Sequence, residues 1–349
     1  MRHSVSCILI LLLFLSLLSG CAGQAAAPAA TPAPAEVITI SDEASSSPAP
    51  VPTAAPTKEP EWDEAALWQA LSELVFEFSS GAGGWGTELY IDRDGSFWGT
   101  YHDSDMGDIG EGYPNGTLYL CQFYGRFGQA ELLDGGAVRL QIEDLHCLKE
   151  EGEEILDGVR TIYSQPYGLT GDGRFTLYPP ATLRSALSEE LLGWVRWAQG
   201  DSAQYTEDQL GFYTLCNESE QQAFSSMRLS DGGRTIRQRV SEAVRTAAPL
   251  EAKLQQDLSQ TELNDTAGEI YAAWDAALND VWQQLGAMLD AENFQRLTAA
   301  ERAWIDSKEA AVHEASDLYR EGSIYPLIYY STAADWTKAR LFTLSEWLH

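Results

Sequence analysis

Residues 87–101 read TELYIDRDGSFWGTY, and this stretch decides the class of the first folded region. Two short runs rich in aromatic and β-branched residues, 87–91 and 97–101, flank the polar segment 92–96. The Asp-Gly step inside that segment supplies a residue that tolerates a positive φ, as a tight hairpin turn requires. The stretch therefore predicts a β-hairpin, and we expect further strands to pair with it.

The surrounding region, 61–200, reads as β-rich with a helix at each end. Short strands with aromatic residues and regular turns are typical of an antiparallel sheet closed into a small barrel or sandwich. Apolar residues at helical spacing predict an opening helix over 62–78 and a closing helix over 188–199. The remaining predicted strands cover 117–123, 137–145 and 175–177, with turn signals at 115–116, 134–136 and 172–173.

The C-terminal region, 251–349, reads as helical throughout. A long apolar stripe runs from Leu263 to Met288 behind a capping-box spacing at Ser259 and Glu262. A second stripe covers 294–319, and a third helix is predicted over 333–348. Residues 201–250 lack clean periodicity before a predicted helix at 234–244, so we interpret them as a connection. The expected fold class is α+β, a β-rich N-terminal domain followed by an all-α C-terminal domain.

The N-terminus predicts where the protein resides. An apolar run at 8–18 behind Arg2 is typical of a secretory signal, which we assign to residues 1–20. The sequence LSGC, ending at Cys21, resembles the lipobox of bacterial lipoproteins, which implies a diacylglyceryl group on Cys21 and cleavage before it. Eight of the chain's 14 prolines lie in 21–60, so this segment is expected to be an extended tether. We therefore expect a lipid-anchored protein on the extracytoplasmic face of the cell membrane.

The charge balance restricts the class of partner. The chain has 22 Lys and Arg against 52 Asp and Glu, a formal net charge of −30. This excludes nucleic acid as an expected partner, because phosphate binding needs a basic surface. Both folded regions are acidic, which favours a cationic protein or another envelope component as the partner. The alternative is that the charge serves only solubility and repulsion from anionic envelope polymers.

The sequence offers no pattern from which a catalytic, cofactor or metal residue can be assigned. After cleavage four histidines remain, none in the context of a nucleophile triad, and no paired Cys or His has zinc spacing. The acidic segment 103–111 has the carboxylates of a calcium loop and equally the composition of an ordinary solvated loop. Cys121, Cys147 and Cys216 permit three pairings, Cys121–Cys147 among them, or three thiols.

A set of motif residues extends over 259–344. It has three blocks: Gln260, Glu262, Leu263, Asn264, Tyr271, Asp275, Leu278 and Asn279; Glu301, Ala303, Trp304, Ile305, Lys308 and Glu309; and Gly322, Ser323, Thr337, Arg340 and Leu344. Their order and spacing resemble the lysozyme-inhibitor LprI-type domain family of secreted bacterial proteins. The resemblance implies a helical binding domain and a lysozyme as partner. Where the family usually has Arg-Asp, this chain has Lys308-Glu309.

Two further features qualify this resemblance. Family members commonly carry two cysteines at the places that Thr266 and Val312 occupy here, so the disulfide they imply is absent. The polar motif residues are interpreted as structural, since residues four apart share a helix face beside the apolar stripe. That interpretation covers Gln260, Asn264, Asp275, Asn279, Trp304, Lys308 and Arg340.

The leading hypothesis is a membrane-tethered, non-enzymatic binding protein, and lysozyme inhibition is its most specific form. The alternative is a cell-envelope hydrolase with its site in the β-rich domain.

Overall fold

The computed structural model describes residues 62–81, 83–156 and 158–345. The predicted signal peptide (1–20), the lipidation site Cys21 and the tether (21–60) lie outside the described residues. Among the helices of the described ranges, none has the length and apolar character needed to cross a membrane.

The described chain forms eleven strands and six α-helices. The strands are β1 (Leu74–Ser79), β2 (Trp85–Ile91), β3 (Ser96–Asp105), β4 (Thr117–Phe127), β5 (Glu131–Leu132), β6 (Val138–Cys147), β7 (Gly152–Leu156), β8 (Val159–Tyr163), β9 (Arg174–Tyr178), β10 (Thr214–Asn217) and β11 (Gln222–Arg228). The helices are α1 (Glu64–Leu71), α2 (Glu189–Val195), α3 (Asp231–Leu254), α4 (Gln260–Met288), α5 (Ala291–Ser316) and α6 (Tyr325–Ser345).

Eight strands close into a barrel in the order β6-β9-β10-β11-β1-β2-β3-β4, and β4 pairs back onto β6. Every neighbouring pair around this ring is antiparallel. Outside the ring, β5 pairs with β6, while β8 runs parallel to β4 and carries β7. Closure removes free edges from the ring. The prediction of an α+β protein with an antiparallel barrel and a helical C-terminal region is confirmed.

The centre of the barrel is filled by aromatic rings. Phe97, Phe123, Phe127 and Phe175 are each at most 2% exposed, and the rings of Phe97 and Phe127 lie 4.8 Å apart. An eight-stranded barrel has an interior just wide enough for side chains to fill, and here they do so.

Two glycines make room for these rings. In the β3–β4 register Phe97 lies opposite Gly125, and Gly99 lies opposite Phe123. A Cβ at Gly99 would stand 2.5 Å from Phe123 Cζ, and one at Gly125 would stand 2.7 Å from Phe97 Cζ. Each ring therefore covers the glycine on the neighbouring strand, which is a recognised way of pinning register in a curved sheet.

The hairpin predicted from 87–101 is present. Tyr90 pairs with Trp98 and Ile91 with Phe97, and Gly95 adopts a φ of 78° in the turn. The turn is closed by a hydrogen bond from the Asp92 N–H to the Ser96 carbonyl at 2.7 Å.

The predicted opening helix over 62–78 is wrong in its second half. The helix α1 ends at Leu71, and β1 begins at Leu74. This strand is buried on both faces, because Phe76 and Phe78 belong to the barrel core while Val75 packs with the helices. A strand buried on both faces gives a continuous apolar run, and such a run is not distinguishable from a helix by periodicity.

Residues 201–250 do not form a connection. They contribute β10 and β11, which complete the barrel between β9 and β1, and most of α3. The two strands are short, and small polar side chains such as Ser225 and Ser226 are buried on β11. The strands therefore lack the alternation of apolar and polar residues by which a half-buried strand is recognised.

The helical region is built on α4. This helix packs against α3 and α6, and α5 packs against α6. The predicted capping box at Ser259 and Glu262 is present at the start of α4. The third helix begins at Tyr325, earlier than the predicted 333. Pro326 does not prevent this start, because it occupies the first turn, where its missing N–H costs no hydrogen bond.

The barrel and the helices share a continuous core. Val75, Tyr90 and Trp98 from the barrel belong to the same buried cluster as Trp274 and Phe342 from α4 and α6. The indole N–H of Trp98 also donates to Ser241 Oγ of α3 at 3.1 Å. The helices therefore cover one outer face of the barrel.

Candidate functional site

A shallow groove lies on α4 and is bordered by Tyr330 of α6. Its walls carry three carboxylates, Asp265, Glu269 and Asp275, and two tyrosine rings, Tyr271 and Tyr330. Residues four apart on a helix share a face, so α4 places Asp265 and Glu269 side by side, and Asp275 borders the groove further along the helix. The remaining lining is formed by Asn264, Gly268, Ala272 and Ala276.

The tyrosines of the groove belong to a cluster of four rings. Tyr271 stacks on Tyr330 with centroids 6.1 Å apart, and Tyr330 meets Tyr329 edge-on at 5.4 Å. Tyr325 lies 5.9 Å from Tyr329 and extends the cluster along α6. All four rings are half-buried. Such rings offer contact area with little conformational freedom left to lose on binding.

The hydroxyl of Tyr271 is held by the acidic side of the groove. It donates to Asp275 Oδ1 at 3.3 Å. Burial, with the nearby Asp275 charge as the next cause, raises the pKa of Tyr271 to about 12. The phenol is therefore neutral at physiological pH.

Within the described residues, the carboxylates of the groove are not paired with cationic side chains. In the part of the chain that the structure describes, Asp265, Glu269 and Asp275 have no ion pair with a Lys, Arg or His side chain. Lys308 is the cation nearest to the groove among the described residues' ring contacts, with its Nζ 5.6 Å from the Tyr271 ring centroid. A cation from another molecule would meet both carboxylates and aromatic faces here.

The motif residues Gln260 and Asn264 tie the start of α4 to the turn before α6. Gln260 Nε2 donates to Asn264 Oδ1 at 2.9 Å, and Asn264 Nδ2 donates to the Ser323 carbonyl at 2.9 Å. The pair Asp275 and Asn279 is local to α4, with Asn279 Nδ2 donating to the Asp275 carboxylate at 3.1 Å. Asp275 also lines the groove, so it is both a motif residue and a groove residue.

A second group of motif residues lies where α5 meets α6. Arg340 donates through Nε to Glu301 Oε2 at 2.8 Å, and its guanidinium lies 5.7 Å from the Trp304 ring. Lys308 lies 4.8 Å from the same ring. Because Lys308 also faces Tyr271, it links this group to the groove.

Sequence reasoning missed several residues of the groove. Asp265, Glu269 and Tyr330 line it but were not singled out. The i,i+4 spacing of Asp265 and Glu269 was a usable signal, whereas the approach of Tyr330 depends on how α6 packs on α4. Thr266 and Val312, at the places of the family cysteines, are both buried, and Thr266 Oγ1 has no hydrogen-bond partner.

The acidic segment 103–111 does not gather its carboxylates. Asp105 Oδ1 accepts from the N–H groups of Gly107 and Asp108 within the turn, and Asp108 pairs with Arg160 of β8. Within residues 62–81, 83–156 and 158–345, no group of three or more His, Cys, Asp or Glu side chains is arranged to hold a metal ion.

The comparisons with known proteins address the helical region. The family model described as Lysozyme inhibitor LprI matches residues 251–344, about a quarter of the chain. No curated protein and no solved structure matches the chain. The resemblance that the motif residues suggested is thereby confirmed: the C-terminal region, which carries the groove, matches the lysozyme inhibitor LprI family.

Proposed function

We propose that the protein is a binding protein of the cell envelope whose helical region holds a cationic protein of the lysozyme type and so inhibits it. The observation that carries the proposal is that the LprI match covers the groove on α4 and α6. The family match supports a binding role without chemistry of its own. The groove supplies the surface on which that binding takes place.

The chemistry of the groove suits a basic partner. Unpaired carboxylates attract Lys and Arg side chains and raise the rate of association in a salt-dependent manner. The tyrosine rings add apolar contact and cation–π attraction, which salt screens less. Binding that survives physiological salt therefore depends on both components.

The anchoring part of the proposal comes from the N-terminal sequence. Lipid on Cys21 would hold the protein at the extracytoplasmic face of the membrane, and the tether over 21–60 would let the folded region reach an enzyme acting nearby. Exchange of Cys21 for Ser tests this. The wild-type protein is expected in the membrane fraction, and the variant in the soluble fraction. Equal fractionation of the two would contradict lipid anchoring.

The inhibition test uses residues 22–349, which include the whole barrel and all the helices. Lysis of cell walls by a basic lysozyme is measured at low salt and at about 0.15 M salt. We expect the groove variant D265N/E269Q to weaken inhibition at the higher salt by about tenfold. The matched control, E292Q/E314Q, removes two exposed carboxylates of α5 and should inhibit as the wild type does.

Two other outcomes of the inhibition test would argue against binding in the groove. If both double variants lose inhibition equally, the attraction is generic to the charge of the helical region. If the wild-type protein does not inhibit at either salt, lysozyme is not the partner and the proposal fails.

A further inference from the structure

Two of the three described cysteines lie side by side at the point where the barrel closes. Cys121 of β4 and Cys147 of β6 are both free thiols, with their Sγ atoms 3.5 Å apart. The third thiol, Cys216, lies fully buried on β10 in a separate cluster with residues of α2. Of the three pairings that the sequence permits, the structure brings together one.

The backbone register supports this contact. Cys147 pairs with Phe123, so Cys121 lies two residues along β4 on the same face of the sheet. Diagonal neighbours on adjacent strands are about 7 Å apart, close to the limit for a disulfide, but the side chains of these two lean toward one another and bring their Sγ atoms to 3.5 Å.

We propose that Cys121 and Cys147 form a disulfide that locks β4 to β6, and that Cys147 is the thiol that reacts first. The two residues differ in access: Cys121 is 3% exposed, whereas Cys147 is partly exposed beside Gln165. An external reagent can therefore reach Cys147, while Cys121 is available only to its neighbour.

The hydrogen bond between the thiols strengthens this asymmetry. Cys121 donates its S–H to Cys147 Sγ, which lowers the pKa of Cys147 to about 7 despite the opposing effects of burial and of Glu151. The same hydrogen bond, together with burial, raises the pKa of Cys121. The thiolate is the nucleophile in thiol–disulfide exchange, so Cys147 is the attacking sulfur.

The exchange balances with an external disulfide as oxidant. The Cys147 thiolate attacks one sulfur of that disulfide, which forms a mixed disulfide and releases one donor thiolate. Cys121 then loses its proton and attacks Cys147 Sγ; the new bond forms as the mixed disulfide breaks and the second donor thiolate leaves. The two protein sulfurs lose two electrons in all, the donor gains them, and the two protons pass to the donor thiols.

The disulfide would reinforce the β4–β6 pairing at a point where β4 also contacts helix α6. Cys121 adjoins Gln122, whose side-chain amide donates to the Ala339 carbonyl and Thr343 Oγ1 of α6, each at 3.4 Å. The cross-link closes a loop between residues 26 positions apart. Such a loop should raise Tm by about 5–10 °C relative to the reduced protein.

The test uses residues 22–349, whose three cysteines are Cys121, Cys147 and Cys216. The reduced protein is incubated with oxidised glutathione, the remaining thiols are alkylated, and the products are mapped by mass spectrometry. We expect a Cys121–Cys147 disulfide and an alkylated Cys216. C216S should behave as the wild type, C147S should stay reduced at Cys121, and C121S should keep glutathione on Cys147.

Two results would overturn the proposal. One is a folded wild-type protein whose three thiols all remain alkylatable after the incubation. The other is a disulfide that includes Cys216. If a serine variant does not fold, the order in which the thiols of the reduced wild-type protein are alkylated tests whether Cys147 is the more reactive thiol. The proposal requires Cys147 to react well before Cys121 and Cys216.

Discussion

Lys338 of α6 donates a hydrogen bond to Glu251 of α3 at 3.0 Å. The other oxygen of that carboxylate accepts from the hydroxyl of Tyr124 on β4 at 2.6 Å. The Lys338 ammonium lies 4.3 Å from the Tyr124 ring and 5.1 Å from the Trp274 ring. One carboxylate therefore joins a barrel strand to two helices, within the range that matches the LprI family.

Replacing Glu251 by Gln should destabilise the protein by about 2 kcal/mol. Lys338 has a side chain that is 11% exposed, and without Glu251 its largely buried ammonium loses its ion-pair partner. Urea denaturation measures the change. The control is E314Q, which removes an exposed carboxylate of α5 and should shift the free energy of unfolding by less than about 0.5 kcal/mol. Equal stability of E251Q and the wild type would show that the contact contributes nothing to the fold.

Residues 251–345 should not fold alone, although they contain the family match. Their apolar face is completed by Val75, Tyr90 and Trp98 of the barrel and by α3. Without that cover, rings such as Trp274 and Phe342 would be exposed to water, and the burial that offsets chain entropy would be lost. We expect the fragment to bind a hydrophobic dye and to unfold without a cooperative transition, whereas residues 62–345 should unfold cooperatively. A cooperative transition in the fragment would contradict this.

The barrel was predictable because its strands are marked by turn chemistry. Gly95, Gly116, Gly135 and Gly173 all adopt positive φ at the predicted turns. Strands whose burial differs from the half-buried pattern could not be predicted. β1 opens with the apolar run Leu74–Phe76, which reads as a continuation of the helix, and β11 buries serines, so neither shows a complete alternation of apolar and polar residues.

The candidate site was predictable only along a single helix. Tyr271 and Asp275 could be placed on one face of α4 from their spacing. The contribution of Tyr330 depends on the packing of α6 against α4. Polar residues such as Asp335, Lys338 and Arg340 are distributed around α6, so its sequence does not reveal which side faces its neighbour. For the same reason the contact of Lys308 with both Trp304 and Tyr271 was not predictable.

Adding a methyl group at Gly99 should destabilise the barrel strongly. The new Cβ would stand 2.1 Å from the Glu88 carbonyl oxygen as well as against Phe123, so neither backbone nor ring can give way cheaply. We expect G99A to lose about 3 kcal/mol of unfolding free energy. The control is G84A, since a Cβ there meets no atom within 4 Å. Similar thermal melts for the two variants would contradict the tight packing at the β3–β4 contact.

The stability of the protein should fall as the pH rises from 10 to 12. Burial is the main cause that raises the pKa values of Tyr101, Tyr178 and Tyr271 to about 12, against an ordinary value of 10.0. In this window the folded state holds protons that the unfolded state has lost, so the free energy of unfolding decreases with pH, and the contribution is fully present below pH 10. Urea denaturation across the window measures the slope. Y101F should flatten it, whereas Y319F, which removes an exposed tyrosine, should not.

The role of Arg340 can be separated from that of the groove. Arg340 and Glu301 have side chains only 13% and 12% exposed, and their closest atoms lie 2.7 Å apart. Removing one partner leaves a buried charge without compensation, so R340A should lose about 3–5 kcal/mol. Replacing both by apolar residues, as in E301L/R340M, removes that cost and should restore most of the stability. On the function proposed above, a pair that only holds α5 against α6 predicts that the double variant inhibits a basic lysozyme to the same extent as the unsubstituted protein. A double variant that is stable but does not inhibit would instead place Arg340 or Glu301 in the contact with the partner.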